Sequence, residues 1–150
     1  MNTPASVKGH PVHPMLIVMP LGLWIFSFVA DVLAWLGWNP DGWQLVARYT
    51  MGGGIIGALL AAVPGLIDDR SIQDPKIKRI ATFHMALNLF AVVLYLINLL
   101  LRYHFGDGRG FPVLLSLLTL GILTAAGWVD GELVYRHRVS VSEPSEFAWR

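Results

Sequence analysis

Four stretches of the chain are almost free of charge. Met15 to Leu36 holds one carboxylate, Asp31. Tyr49 to Ile67 holds none, Ile80 to Leu101 holds only His84 and Tyr95 as titratable groups, and Phe111 to Val129 holds none. A helix rising about 1.5 Å per residue crosses a hydrocarbon core of about 30 Å in roughly 20 residues, so each stretch is long enough to span a bilayer. Strands of roughly ten residues with strict in–out alternation, the signature of a membrane barrel, are absent. The pattern predicts an all-α integral membrane protein with four transmembrane helices, over residues 15–36, 49–67, 80–101 and 111–129.

The connectors are short. Gly37 to Arg48 contains the turn signal Pro40-Asp41-Gly42, Asp68 to Arg79 contains Asp74-Pro75, and Arg102 to Gly110 is glycine-rich. Short loops force successive helices to lie antiparallel, so the expected architecture is one up-down four-helix bundle over residues 1–150. The polar stretch 139–150 reads as a flexible tail.

Composition supports a lipid environment. Apolar residues make up 55% and charged residues 14%, against about 25% charged in ordinary soluble domains. The N-terminal stretch lacks the short apolar core and small-residue cleavage site of a signal peptide. The net charge of +1, without a basic stripe, argues against nucleic acid as a partner. There are no cysteines, which excludes disulfides, thiolate metal sites, iron–sulfur clusters and covalently attached haem.

Lysine and arginine divide unequally between the two ends of the bundle. Lys8, Arg70, Lys76, Lys78, Arg79, Arg136, Arg138 and Arg150 fall on the side of the termini; Arg48, Arg102 and Arg109 fall on the other. The positive-inside rule then predicts that both termini are cytoplasmic. Trp35, Trp38 and Trp43 suit the outer interface and Trp128 the inner one.

Helix two carries a small-residue stripe, Gly53, Gly57, Ala61 and Gly65, of the kind that lets helix backbones approach closely in lipid. A homo-oligomer stands among the expected partners, beside the lipid bilayer. Helix three has a polar face, because His84, Asn88, Ala91, Tyr95 and Asn98 recur at spacings of three and four. Asp31 and Asn98 both lie toward the outer end, so a contact between them is expected.

The candidate chemistry gathers at the cytoplasmic end. His10 and His13, each followed by proline, precede helix one; His84 lies one turn inside helix three; His137 follows helix four. Asp68, Asp69, Asp130 and Glu132 stand at the same level. Pro11 and Pro14 stiffen the segment that carries the first two histidines. Three readings follow. In the first, His84 and His13 (or His10) are axial ligands of a haem b, Asn88 and His137 stand nearby, and Arg79 or Arg136 pairs with its propionates. In the second, His84, His13 and His10 join Asp68, Asp69 and Glu132 in a zinc or iron site of a membrane enzyme. In the third, the histidines only hydrogen-bond helix ends, and the protein is a cofactor-free membrane scaffold or accessory subunit. No serine or threonine has a base beside it, and Met51-Gly52-Gly53-Gly54 is not followed by the lysine of a phosphate loop.

Several of these residues carry a family resemblance. Gly9-His10-Pro11-Val12-His13-Pro14-Met15, Pro20-Leu21-Gly22-Leu23-Trp24, Gly65 with Asp68 or Asp69, His84-x-x-x-Asn88 and Gly131-Glu132-Leu133-Val134-Tyr135-Arg136-His137 together resemble a bacterial family of small membrane proteins known as domain of unknown function 2231. The resemblance implies a four-helix domain in the bacterial inner membrane. Relatives that look similar are sometimes joined to redox domains, which implies electron transfer with a redox protein or a quinone as partner. The chain departs from the pattern at Val18, where many relatives have a further histidine, and at Arg138, where many have glycine. The first departure removes one buried candidate ligand, so two haems per chain are not expected.

Overall fold

The computed structural model describes residues 4–8, 10–106, 110–139 and 141. Four helices, α1 (Val12–Trp35), α2 (Pro40–Ser71), α3 (Pro75–Phe105) and α4 (Phe111–Gly131), make up most of the chain. All four are long and apolar enough to cross a membrane. A π-helical turn, Glu132–Arg136, continues α4. Ahead of α1, the short strands β1 (Ser6–Val7) and β2 (His10–Pro11) pair antiparallel. The Val12 N–H donates to Ala5 O at 3.0 Å and closes this small hairpin onto the helix.

The helices outrun the charge-free stretches, for a reason that lies in the prolines. Pro40 and Pro75, expected within turns, instead occupy the first turns of α2 and α3. Proline suits that place because its missing N–H would have no intrahelical acceptor there. Asp74 caps α3, its carboxylate accepting from Lys76 N and Ile77 N at 2.8 and 3.3 Å. Between α1 and α2 only Leu36–Asn39 remain as turn, with Gly37 and Asn39 at φ of 85° and 40°. With 32 residues, α2 is about 48 Å long and reaches beyond the hydrocarbon.

Successive helices run antiparallel, and α1 lies closest to α2. The small-residue stripe of α2 is the surface on which α1 packs. A Cβ added at Gly53 would stand 3.3 Å from Leu23 Cδ1, and one at Gly57 would stand 2.6 Å from Met19 Cε and 3.2 Å from Pro20 Cδ. Gly54, outside the expected stripe, is pressed hardest, because the Trp24 indole lies across it. That indole donates to Met51 O at 3.3 Å and stacks on Tyr95 with ring centroids 4.4 Å apart. Trp24, Met51, Ile55, Ala91, Tyr95 and Leu123 form the central core. Outward-facing Ile56, Leu60, Phe90 and Leu118 are exposed, as a lipid-facing surface requires.

A second small core closes the end of the bundle that carries the termini. Ile72, Ala81, Leu133 and Val139 pack together there. Val139, expected at the start of a flexible tail, is buried, and its N–H donates to Leu133 O at 3.1 Å. The π turn brings this about by carrying Leu133 inward. The rest of that tail, residues 142–150, lies outside the described residues, as do Gly9 and Arg109.

Candidate functional site

His13 and His84 adopt the same posture on different helix pairs. The His13 Nδ1–H, on the first turn of α1, donates to Ala61 O of α2 at 2.7 Å. Its ring lies over Gly65, where an added Cβ would stand 2.8 Å from Nδ1. The His84 Nδ1–H donates to Ala126 O of α4 at 3.0 Å. A carbonyl only accepts, so both imidazoles carry their proton on Nδ1 when neutral, and the lone pair sits on Nε2. On His84 that lone pair accepts from Asn88 Nδ2 at 3.1 Å, while the same amide also donates to His84 O at 2.9 Å. Asp130 Oδ1 stands 3.8 Å from His84 Nε2. On His13, Nε2 has no hydrogen-bond partner among the described residues.

The other candidate residues are committed elsewhere. Asp68 is buried and accepts from Ala5 N at 2.8 Å, which ties the N-terminal hairpin to the end of α2. Asp69 is paired with Lys78 Nζ at 2.6 Å, and Glu132 with Arg136 Nη1 at 3.0 Å. His10 is exposed, its Nδ1 donating to Lys8 O at 3.1 Å. The backbone N–H of His137 donates to Glu132 O. Arg79 is exposed on α3, five residues before His84 and so about 140° around the helix from it. Among the described residues, no three histidine, aspartate or glutamate side chains come together in a group that could hold a metal ion. The carboxylates proposed for a direct zinc or iron shell are instead spread over a cap contact and two ion pairs.

A second polar cluster lies at the opposite end, inside the bundle. Asp31 of α1 does not meet Asn98, as expected from the sequence, but Arg102. The guanidinium grips both carboxylate oxygens, Nη1 to Oδ1 at 2.6 Å and Nη2 to Oδ2 at 2.7 Å. Asn98 serves the arginine instead: its Oδ1 accepts from Arg102 Nε at 3.0 Å. The Asn98 amide then donates to Pro112 O and Ser116 Oγ of α4 at 2.8 and 2.9 Å. Arg102 and Asp31 are only 2% and 3% exposed, so this is an ion pair removed from water, satisfied on three sides and joining α1, α3 and α4. Sequence reading placed Arg102 in a loop because it ends a charge-free run. The signal that could have found it is its spacing of four from Asn98, which extends the polar face of α3 by one turn.

No curated protein and no solved structure matches the chain. A sequence model described as "Predicted membrane protein (DUF2231)" matches residues 9–143. That range takes in the N-terminal histidines, all four helices and the π turn. The chain belongs to this family of predicted membrane proteins.

Proposed function

We propose that the protein is an electron-transfer protein of the bacterial inner membrane that binds haem b at the end carrying its termini, with His84 and His13 as axial ligands. The observation that supports this reading is the shared posture of the two imidazoles. Each donates Nδ1–H to a backbone carbonyl of the neighbouring helix, which fixes the tautomer, orients the ring and leaves Nε2 as the ligating atom. His84 would exchange the Asn88 contact at Nε2 for iron, and Asn88 would keep its bond to His84 O. Arg79 is exposed and Arg136 pairs with Glu132, so the reading rests on the imidazoles rather than on propionate partners. A bound haem would supply one-electron chemistry. The chain's own part is to hold the ligands on rigid helices and to exclude water from them with the Ile72, Ala81, Leu133 and Val139 core. The excess of lysine and arginine at this end supports cytoplasmic termini, and the partner would be a membrane quinone or a redox protein.

A second reading keeps the same contacts and needs no cofactor. His13 joins α1 to α2, and His84 joins α3 to α4, so both act as interhelical clamps in a scaffold or accessory subunit. One measurement separates the two. Detergent-purified protein from haem-replete cells should show an intense Soret band and, after dithionite, sharp α and β bands of a low-spin, doubly ligated haem. His84→Ala and His13→Ala should each abolish that low-spin spectrum while the helical circular dichroism persists. A colourless, folded wild-type protein would overturn the haem reading and leave the clamp.

A further inference from the structure

The outward face of α3 carries a groove that neither histidine uses. It is shallow and open, and Pro75, Lys78, Arg79, Thr82, Phe83 and Ala86 line it. These residues follow one another at spacings of three and four, so they form one stripe on the helix. The stripe crosses the point at which charge disappears from the sequence: Arg79 is the last cation before the charge-free run that begins at Ile80. The groove is therefore polar and cationic at its upper end and apolar at its lower end, at the depth of the lipid headgroups.

Two of its groups are unspent. Lys78 is held by Asp69, whose backbone O and Oδ2 both accept from Nζ at 2.6 Å. Among the described residues Arg79 has no such carboxylate, and it is exposed. Thr82 is the second. Thr50, Thr119 and Thr124 each return the hydroxyl to the carbonyl four residues earlier, at 2.7 to 2.9 Å. Among the described residues Thr82 makes no such bond, and it is exposed, so its hydroxyl is open to a group outside the chain. A free guanidinium and a free hydroxyl three residues apart thus point to one external acceptor. Asp74, whose Oδ1 caps the start of the helix, is not among the residues that line the groove.

We propose that this groove is a binding site for an anionic phospholipid of the surrounding bilayer. The phosphate accepts from the Arg79 guanidinium and the Thr82 hydroxyl, and an acyl chain runs down over Phe83 and Ala86. Arginine suits the task because its planar fork matches phosphate oxygens two at a time. With Lys78 neutralised by Asp69, the site presents one uncompensated positive charge. It therefore selects a headgroup of net negative charge over phosphatidylcholine, whose choline cation would oppose Arg79.

The test uses the full chain in detergent doped with equal amounts of phosphatidylglycerol and phosphatidylcholine, read by native mass spectrometry. Wild-type protein should retain one phosphatidylglycerol in clear preference to phosphatidylcholine. Arg79→Gln should weaken that retention about fivefold, the effect of one basic residue at an anionic surface. Thr82→Val should weaken it further, and Arg136→Gln, at the same end but tied to Glu132, should leave it unchanged. Glycerol 3-phosphate in excess should fail to displace the lipid, because it lacks the chain that Phe83 and Ala86 hold. Equal retention of the two lipids by wild-type protein, or unchanged retention in Arg79→Gln, would overturn the proposal. Both replacements are of exposed side chains, so the folded state survives to be measured, and the outcome is independent of any haem spectrum.

Discussion

Replacing Arg102 with methionine is expected to destabilise the folded protein by about 3–5 kcal/mol, the usual cost of removing one partner from a buried ion pair. The loss does not measure the attraction between the two groups. It comes from stranding the Asp31 carboxylate, 3% exposed, away from water and without the guanidinium that holds both its oxygens. Removing both charges should therefore hurt far less than removing one. The double variant Asp31→Leu/Arg102→Met is expected to recover most of the stability, since apolar replacements of a buried pair are often neutral. Arg102→Lys should fall between. It keeps the charge but loses the fork that holds both carboxylate oxygens, as well as the Nε bond to Asn98. Unfolding of wild type, these three variants and Asp31→Leu alone in mixed micelles, followed by far-ultraviolet circular dichroism, gives each value and the coupling between the two sites. If the single methionine variant stays within about 1 kcal/mol of wild type, or if the double variant is no better than the single, the pair does not carry this strain.

The second large effect is expected at Gly54. Its added Cβ would stand 2.5 Å from Trp24 Cδ1, a distance no real packing allows. The indole has no easy retreat, because it is stacked on Tyr95 and bonded to Met51 O. Gly54→Ala should cost about 1–3 kcal/mol through overpacking, even though alanine is the better helix former by up to about 1 kcal/mol. Gly22→Ala provides the contrast. Nothing lies within 4 Å of its added Cβ, so propensity acts alone and the change should be neutral or stabilising. The thermal unfolding midpoint should fall in Gly54→Ala and hold or rise in Gly22→Ala. Pairing Gly54→Ala with Trp24→Leu should relieve the clash and reduce the loss; if it does not, the glycine serves some purpose other than seating the indole.

These two sites also mark what was and was not legible in the sequence. The four helices were, because a charge-free run of membrane length admits almost no other structure. Their ends were not: Pro40 and Pro75 are read as turn residues by the same rule that allows them on the first turn of a helix, and only capping geometry decides. The small-residue stripe was legible as a surface for close contact. Gly54 was missed because its role depends on which side chain of α1 arrives opposite, and that is set by the register between helices. Arg102 was missed for a related reason. Its partner Asp31 is 71 residues away, and hydropathy along one strand of text does not record a partner in space. The grouping of the histidines toward one end follows from topology alone. Their division between the α1–α2 and α3–α4 pairs, each on a backbone carbonyl, carries no sequence signature.

The distance along the chain between Asp31 and Arg102 has a consequence for how the protein is made. At about 5–20 residues per second, the ribosome releases Arg102 roughly 4–14 s after Asp31. During that interval Asp31 waits without the guanidinium that grips it in the folded protein. The third helix, for its part, arrives carrying a guanidinium that only the first can satisfy. The membrane therefore receives two hairpins that each carry one half of the buried pair. Their joining completes it in one step and makes the second hairpin's arrival, rather than the insertion of any single helix, the event that commits the chain to its final form.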